Sequence, residues 1–307
     1  MLGVTRAFAV AAIAGALILL PVGAFDAAVA GSGEAGQASP VPGLKRIFAA
    51  GFEAPVSLHP NKRGNRVRLK GKDNRGYRWE DLDHVFELVA ANSVDNLVTI
   101  HFSSENYFEG SRSLYMRQNK MVNGTQARLQ FFGNDETFGP EVFTRRRYFI
   151  PSSNLGSLAK QDASASIAGT REARGRVVPF SIAGGADFSM PLYAVRRGEK
   201  LVFAQALVDY SAGPRWSDWT RPPKGLLTFG QMTEVPLDRW FKLDIYLLRD
   251  PSEGKLKVWV DDRIIFDLEG VRTKNDTSRW FTKLADVDSE PAPFELWTDD
   301  VEIWARR

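Results

Sequence analysis

Cysteine is absent from the 307 residues, which excludes disulfides, thiolate zinc sites and thiol nucleophiles. Histidine is nearly absent: His59, His84 and His101 are widely spaced and form no ligand cluster. A strong charge of one sign is also missing, since 40 Lys and Arg offset 37 Asp and Glu for a net +3. That leaves no continuous basic track for a phosphate backbone, and no nucleic-acid partner is expected. Beyond the first thirty residues no apolar run is long enough to span a membrane.

At the start, Arg6 precedes AFAVAAIAGALILLPVGAF (residues 7–25), and small residues stand at Ala28 and Ala30. This is the pattern of a secretory signal peptide cleaved after residue 30. The run exceeds the usual ~7–15-residue apolar core of such signals, so an uncleaved anchor is the alternative and the sole membrane contact expected. Either way the protein is secreted or held in the cell envelope, and without cysteine its core alone must stabilise it. GSGEAGQASPVPG (31–43) reads as a linker, extending to residue 46.

The remainder, 47–307, is expected to be one all-β domain. Short segments rich in β-branched and aromatic residues recur between Gly, Pro, Asn and Asp. Strands are expected at 46–53, 96–103, 111–118, 125–132, 141–151, 177–183, 190–197, 200–210, 239–249, 255–262, 263–270 and 294–306. One helix is expected at WEDLDHVFELVAAN (79–92), where Leu82, Val85, Phe86 and Val89 share a helical face. Elsewhere period two rules. Leu114 and Met116 oppose Tyr115 and Arg117, and Phe241, Leu243, Ile245 and Leu247 oppose Lys242, Asp244 and Tyr246. One greasy face and one polar-aromatic face per strand require two stacked antiparallel sheets, a sandwich or jelly roll. The doublet Asp261-Asp262 then falls at a hairpin turn, and Asp299-Asp300 at a bend or bulge, rather than forming catalytic carboxylate pairs.

The order GFE, GSRSLYMRQNKMVNGTQARLQFF, RRRYFIP, MPLYAVRRGEKLVFAQA, PLDRWFKLDIYLLRDPSEGKLKVWVDDRIIFDLEG and TDDVEIW resembles concanavalin-A-like jelly-roll polysaccharide lyases of the glucuronan lyase and heparin lyase I type. The block at 240–262 is also shared by non-catalytic laminin-G-like and lectin-like sandwiches. The resemblance implies β-elimination on a uronic-acid polysaccharide. A neutraliser stabilises the developing enolate, a base takes the C5 proton and an acid protonates the leaving oxygen.

Carried over residue by residue, Arg128 and Gln205 are the expected carboxylate neutralisers and Tyr148 the proton-transfer residue. Tyr115, Arg117 and Gln130 would position sugar in the same groove. The expected function is therefore that of an exported polysaccharide lyase relative, but Gln205-Ala206-Leu207 resembles a Gln-x-His strand with Leu207 where the histidine should stand, the feature that favours the alternative, a non-catalytic carbohydrate-binding module. Lys257 and Trp259 are a weak substitute for a Tyr-x-Lys pair. In TRRRYF (144–149) alternation puts Arg146 and Tyr148 on one face without fixing which face is inward; if outward, Arg146 joins the sugar-binding set. Trp216 and Trp219, on a long loop, would serve as a sugar platform or lid, or else pack under the sheet edge. No cofactor is implied. Acid-rich loops are compatible with a structural calcium, although no EF-hand-like run occurs. A structural envelope protein is the remaining alternative.

Overall fold

Alternating side chains demand two layers, and two antiparallel sheets supply them. The computed structural model describes residues 40–60, 66–82, 84–89, 97–119, 126–157, 176–183, 188–209, 227–229, 233–274, 279–287, 289–290 and 293–306. The expected signal or anchor, most of the linker and the loop bearing Trp216 and Trp219 lie outside these residues.

The strands begin with β1 (Lys45–Ala50), β2 (Ser57–Pro60), β3 (Arg66–Lys70) and β4 (His84–Val89). Next come β5 (Val98–Ser103), β6 (Ser113–Gln118), β7 (Gln126–Asn134) and β8 (Glu141–Phe149). Then follow β9 (Arg176–Ala183), β10 (Phe188–Arg197), β11 (Lys200–Asp209) and β12 (Leu227–Phe229). The last are β13 (Trp240–Leu248), β14 (Gly254–Val260), β15 (Arg263–Val271), β16 (Arg279–Val287), β17 (Ser289–Glu290) and β18 (Phe294–Ala305).

An eight-stranded sheet runs β15-β14-β13-β8-β18-β6-β5, with β1 also on β18. A ten-stranded sheet runs β12-β11-β10-β9-β16-β7-β4-β3-β2, with β17 on β9. The fold is thus the expected all-β jelly-roll sandwich. Leu243, Ile245, Leu256 and Val258 of the first layer share one buried cluster with Leu129, Phe131, Leu192 and Phe203 of the second. Burying each such side chain contributes about 1.5–3 kcal/mol, which makes this cluster the main source of stability in a chain without cross-links.

The hairpin reading of Asp261-Asp262 holds. The pair joins β14 to β15 with φ of 48° and 67°, the left-handed conformation at both positions that a primed two-residue turn requires. The Asp261 carboxylate also accepts the Lys242 amide at 2.8 Å.

The helix expected at 79–92 is corrected. Trp79–Asp81 forms a single 3₁₀ turn, and the chain then becomes β4, pairing with β3 on one side and β7 on the other. HVFELV satisfies a helical and an alternating pattern equally, and lateral hydrogen bonds from two ready partners decide for the strand.

The strand β18 organises the eight-stranded sheet. On one side it pairs with β8 at Trp297–Asp299 and again at Glu302–Ala305. On the other, Phe294–Thr298 pairs with β6 and Val301–Ala305 with β1. The change of partner falls at Asp299-Asp300, where the register with β8 shifts and Asp300 has φ 55°. The second acidic doublet is therefore a bulge.

Candidate functional site

The residues expected to share one groove are dispersed. Arg128 and Gln130 of β7 alternate with core residues Leu129 and Phe131, so they leave the ten-stranded sheet on the side away from that core, where Arg128 is half-buried and Gln130 is covered. Gln205 belongs to the same sheet but lies opposite Leu192 and on the same side as Leu201 and Phe203, so it faces the interior. Four strand spacings, about 19 Å, separate β7 from β11, and the two side chains leave opposite faces of the sheet. Tyr148 and Arg146 also face the interior: both are 0% exposed. The Tyr148 hydroxyl donates to the Leu284 carbonyl of the opposite layer at 2.6 Å, while Arg146 donates to Thr144 Oγ1 at 2.7 Å and to the Tyr148 hydroxyl at 3.4 Å. Burial lowers the Arg146 pKa. The Tyr148–Leu284 bond joins the two layers from inside, and the Arg146 bonds to Thr144 and Tyr148 run along β8, all away from solvent.

Tyr115 and Arg117 do face outward, but on the eight-stranded sheet. β6 and β7 belong to different sheets, whose outward faces lie on opposite sides of the sandwich, so the expected groove with Arg128 and Gln130 does not form. Lys257 and Trp259 also stand on the eight-stranded sheet, where Lys257 is paired with Asp267 and Glu269 at 3.0 and 2.8 Å.

What the eight-stranded sheet assembles instead is an aromatic row. Five side chains on five adjacent strands stand directly opposite one another: His101, Tyr115, Trp297, Phe149 and Trp240. Successive ring centroids are 4.8, 4.7, 5.7 and 5.9 Å apart, at tilted or edge-on angles. Such pairs are favourable because the positive ring edge meets a negative face. The loop between β5 and β6 adds Phe108, 6.1 Å from Trp240 and 4.2 Å from the Arg147 guanidinium carbon. The middle of the row is covered, with Tyr115 and Trp297 only 8% and 6% exposed. Its ends are open: His101 is exposed, as are Phe108 at 42% and Tyr107 at 45%.

Polar groups line the row. The Tyr115 hydroxyl donates to Glu295 Oε2 at 2.7 Å, and Arg117 Nη1 lies 3.6 Å from the same oxygen. Burial, then the adjacent Glu295, pushes the Tyr115 pKa up to about 12. This phenol is a hydrogen-bond donor at neutral pH, not a base. Trp297, Phe149, Trp240 and Phe108 were missed as site residues. Their outward facing follows from alternation, as with Trp240 beside Lys242 and Asp244, but their alignment across non-consecutive strands does not.

Beside the row lies a charged notch at the β18 bulge. Asp299 Oδ1 accepts the Asp300 amide at 2.9 Å, and Oδ2 accepts the amides of Phe108 and Glu109 at 3.2 and 3.4 Å. The carboxylate thus ties the loop to a stretch of β18 that has lost one strand partner. Arg75 is ion-paired with Asp300 and, at 2.7 Å, with Glu109. Arg145 forks onto Asp244 at 2.9 and 2.8 Å. Among the described residues no group of three or more His, Asp or Glu side chains is arranged to hold a metal ion. A cavity of about 370 Å³ beside Lys200, Glu234 and Arg239 contains none of the candidate residues.

No protein-family model matches the chain, and no curated protein matches it by sequence. Solved structures resemble it in broad shape. An endo-β-1,4-glucuronan lyase from the fungus Trichoderma reesei aligns with TM-score 0.46 and 13% identity over 69% of this chain and 88% of that one. A cellulose-induced protein aligns with TM-score 0.44 and 11% identity over 76% and 95%. Domain 4 of an extracellular arabinanase from Geobacillus stearothermophilus, solved with arabinotriose, aligns with TM-score 0.43 and 10% identity over 86% and 93%. At these scores no residue role passes from those proteins to this one.

Proposed function

We propose that this is an exported carbohydrate-binding β-sandwich that holds an acidic polysaccharide across the outward face of its eight-stranded sheet. The aromatic row carries the reading: five in-register rings with open ends, flanked by Arg117 and Arg147. Aromatic faces cover the apolar faces of pyranose rings, and a guanidinium fork matches a uronate carboxylate.

Lyase chemistry has less support. Arg128, Gln205 and Tyr148 occupy an outward face, an interior and an interior, so no single sugar carbon reaches all three. An elimination on the row would need a base other than Tyr115, whose proton is held too tightly.

Retention of the full chain on an immobilised polyuronate tests the proposal. Trp240→Ala is expected to weaken binding about tenfold, ~1.4 kcal/mol, while Arg128→Ala on the other layer leaves it unchanged. Equal retention of both variants and the parent would remove the support for the row. A rise in ultraviolet absorbance from unsaturated uronide product would reinstate the lyase.

A further inference from the structure

We infer that Asp299 is a proton-operated latch that controls how firmly the loop between β5 and β6 presents Tyr107 and Phe108 at the open end of the aromatic row. The inference rests on the proposed binding face and names its regulation.

The geometry follows from the change of partner on β18. Between the last β6 contact at Thr298 and the first β1 contact at Val301, one edge of the strand has no neighbouring strand. Loop amides take that place, and both that reach it, from Phe108 and Glu109, end on one oxygen of Asp299. The packing leaves little slack. A methyl group on Gly51 would sit 3.3 Å from Asp299 Oδ1 and 3.9 Å from Asp73 Oδ2.

The charged surroundings come from every element packed there. Asp300 and Glu302 lie on β18, Asp73 and Arg75 on the segment after β3, Glu109 on the loop, and Arg145 and Arg147 on β8. Arg75 is engaged by Asp300, Glu109 and, at 3.8 Å, Glu302. Arg145 is engaged by Asp244. Asp73 already accepts the amides of Gly51 and Arg75 at 2.6 and 2.9 Å. Arg147 stands opposite Asp299 on β8 and lies over the Phe108 ring at 4.2 Å, while the hydrogen bonds on Asp299 come from amides and its acidic neighbour is Asp300.

Burial, then Asp300, pushes the Asp299 pKa up to about 7 against the pull of its amide donors. The sign follows from linkage. The closed notch is the state that holds the proton, so protons favour closure. Below the midpoint the neutral carboxyl stays in the notch and the loop is latched. Above it, the ionised group gains by hydration, and the loop loosens. For the same reason the stability contributed by this group is fully present below the ordinary aspartate pKa of about 4 and is lost as pH rises through about 7.

Two-dimensional NMR of the intact protein tests the latch directly. The amide resonances of Phe108 and Glu109 are expected to titrate together near pH 7, with lower protection factors, relative to the base-catalysed intrinsic exchange rate, above the midpoint. Asp299→Asn should abolish the titration and flatten polyuronate affinity across that range. Asp300→Asn should move the midpoint down by removing the like charge. Three results would overturn the latch: amides that titrate unchanged in Asp299→Asn, a midpoint at the ordinary aspartate value, or loss of the titration on adding calcium, which would mark the carboxylates as a cation site. If the amides titrate but polyuronate binds at no pH, the latch stands and the binding proposal fails. If polyuronate binds and the amides do not titrate, the reverse holds.

Discussion

Two aromatic clusters lie on the same outward face of the eight-stranded sheet, and they are finished differently. Phe143, Tyr246 and Trp304 are capped by the chain itself: Leu44 packs among them, and Val41, Leu248 and Trp259 close the edge. The row from His101 to Trp240 has similar chemistry but keeps exposed ends, with Tyr107 and Phe108 projecting beside it. A sandwich can bury aromatic area outside its main core when a spare segment covers it. Where the cover is incomplete, apolar surface stays accessible, and such patches mark interaction sites.

Breaking the capped cluster should have the largest effect on stability. Trp304→Ala removes a 1%-exposed ring packed edge-on against Phe143 at 5.2 Å, at an expected cost of ~3–5 kcal/mol in denaturant unfolding. Leu44→Ala, which opens the cap while leaving every ring in place, should cost about 2 kcal/mol. Trp240→Ala, at the open end, should change stability by less than ~1 kcal/mol even as it weakens polysaccharide retention. If Trp240→Ala instead destabilises as much as Trp304→Ala, the row is a second satellite core and the contrast disappears.

The two layers differ just as clearly in how far the sequence discloses them. Every strand of the eight-stranded sheet is expected from its β-rich composition between turn residues, and β8, β13 and β14 are long enough to alternate as well. The ten-stranded sheet discloses β7, β9, β10 and β11 and conceals the rest. β2, β12 and β17 run two to four residues, too short to carry a period. β4 satisfies two periods at once. β3 and β16 are the longer omissions: Val67 and Leu69 alternate cleanly with Arg66, Arg68 and Lys70, and β16 runs nine residues.

For the site, alternation gives the side of each strand but not the layer to which the strand belongs. Tyr115 and Arg117 therefore face outward as expected, yet β6 and β7, separated by only a short connection, sit in different sheets. In TRRRYF the pattern pairs Arg146 with Tyr148 correctly and leaves their direction open. Hydrogen bonds to Thr144 and to Leu284 of the facing layer fix it inward. Partners of that kind lie far apart in sequence, and no local pattern announces them.

The position of β18 also constrains the order of assembly. It sits inside its sheet, touching β8, β6 and β1, yet among the described strands it is the last to be synthesised. Until residues 294–305 emerge, the backbone edges of three earlier strands remain unsatisfied and able to pair with other chains. Slow maturation of the nascent sheet is the expected consequence of a keystone that follows in sequence all the strands it joins.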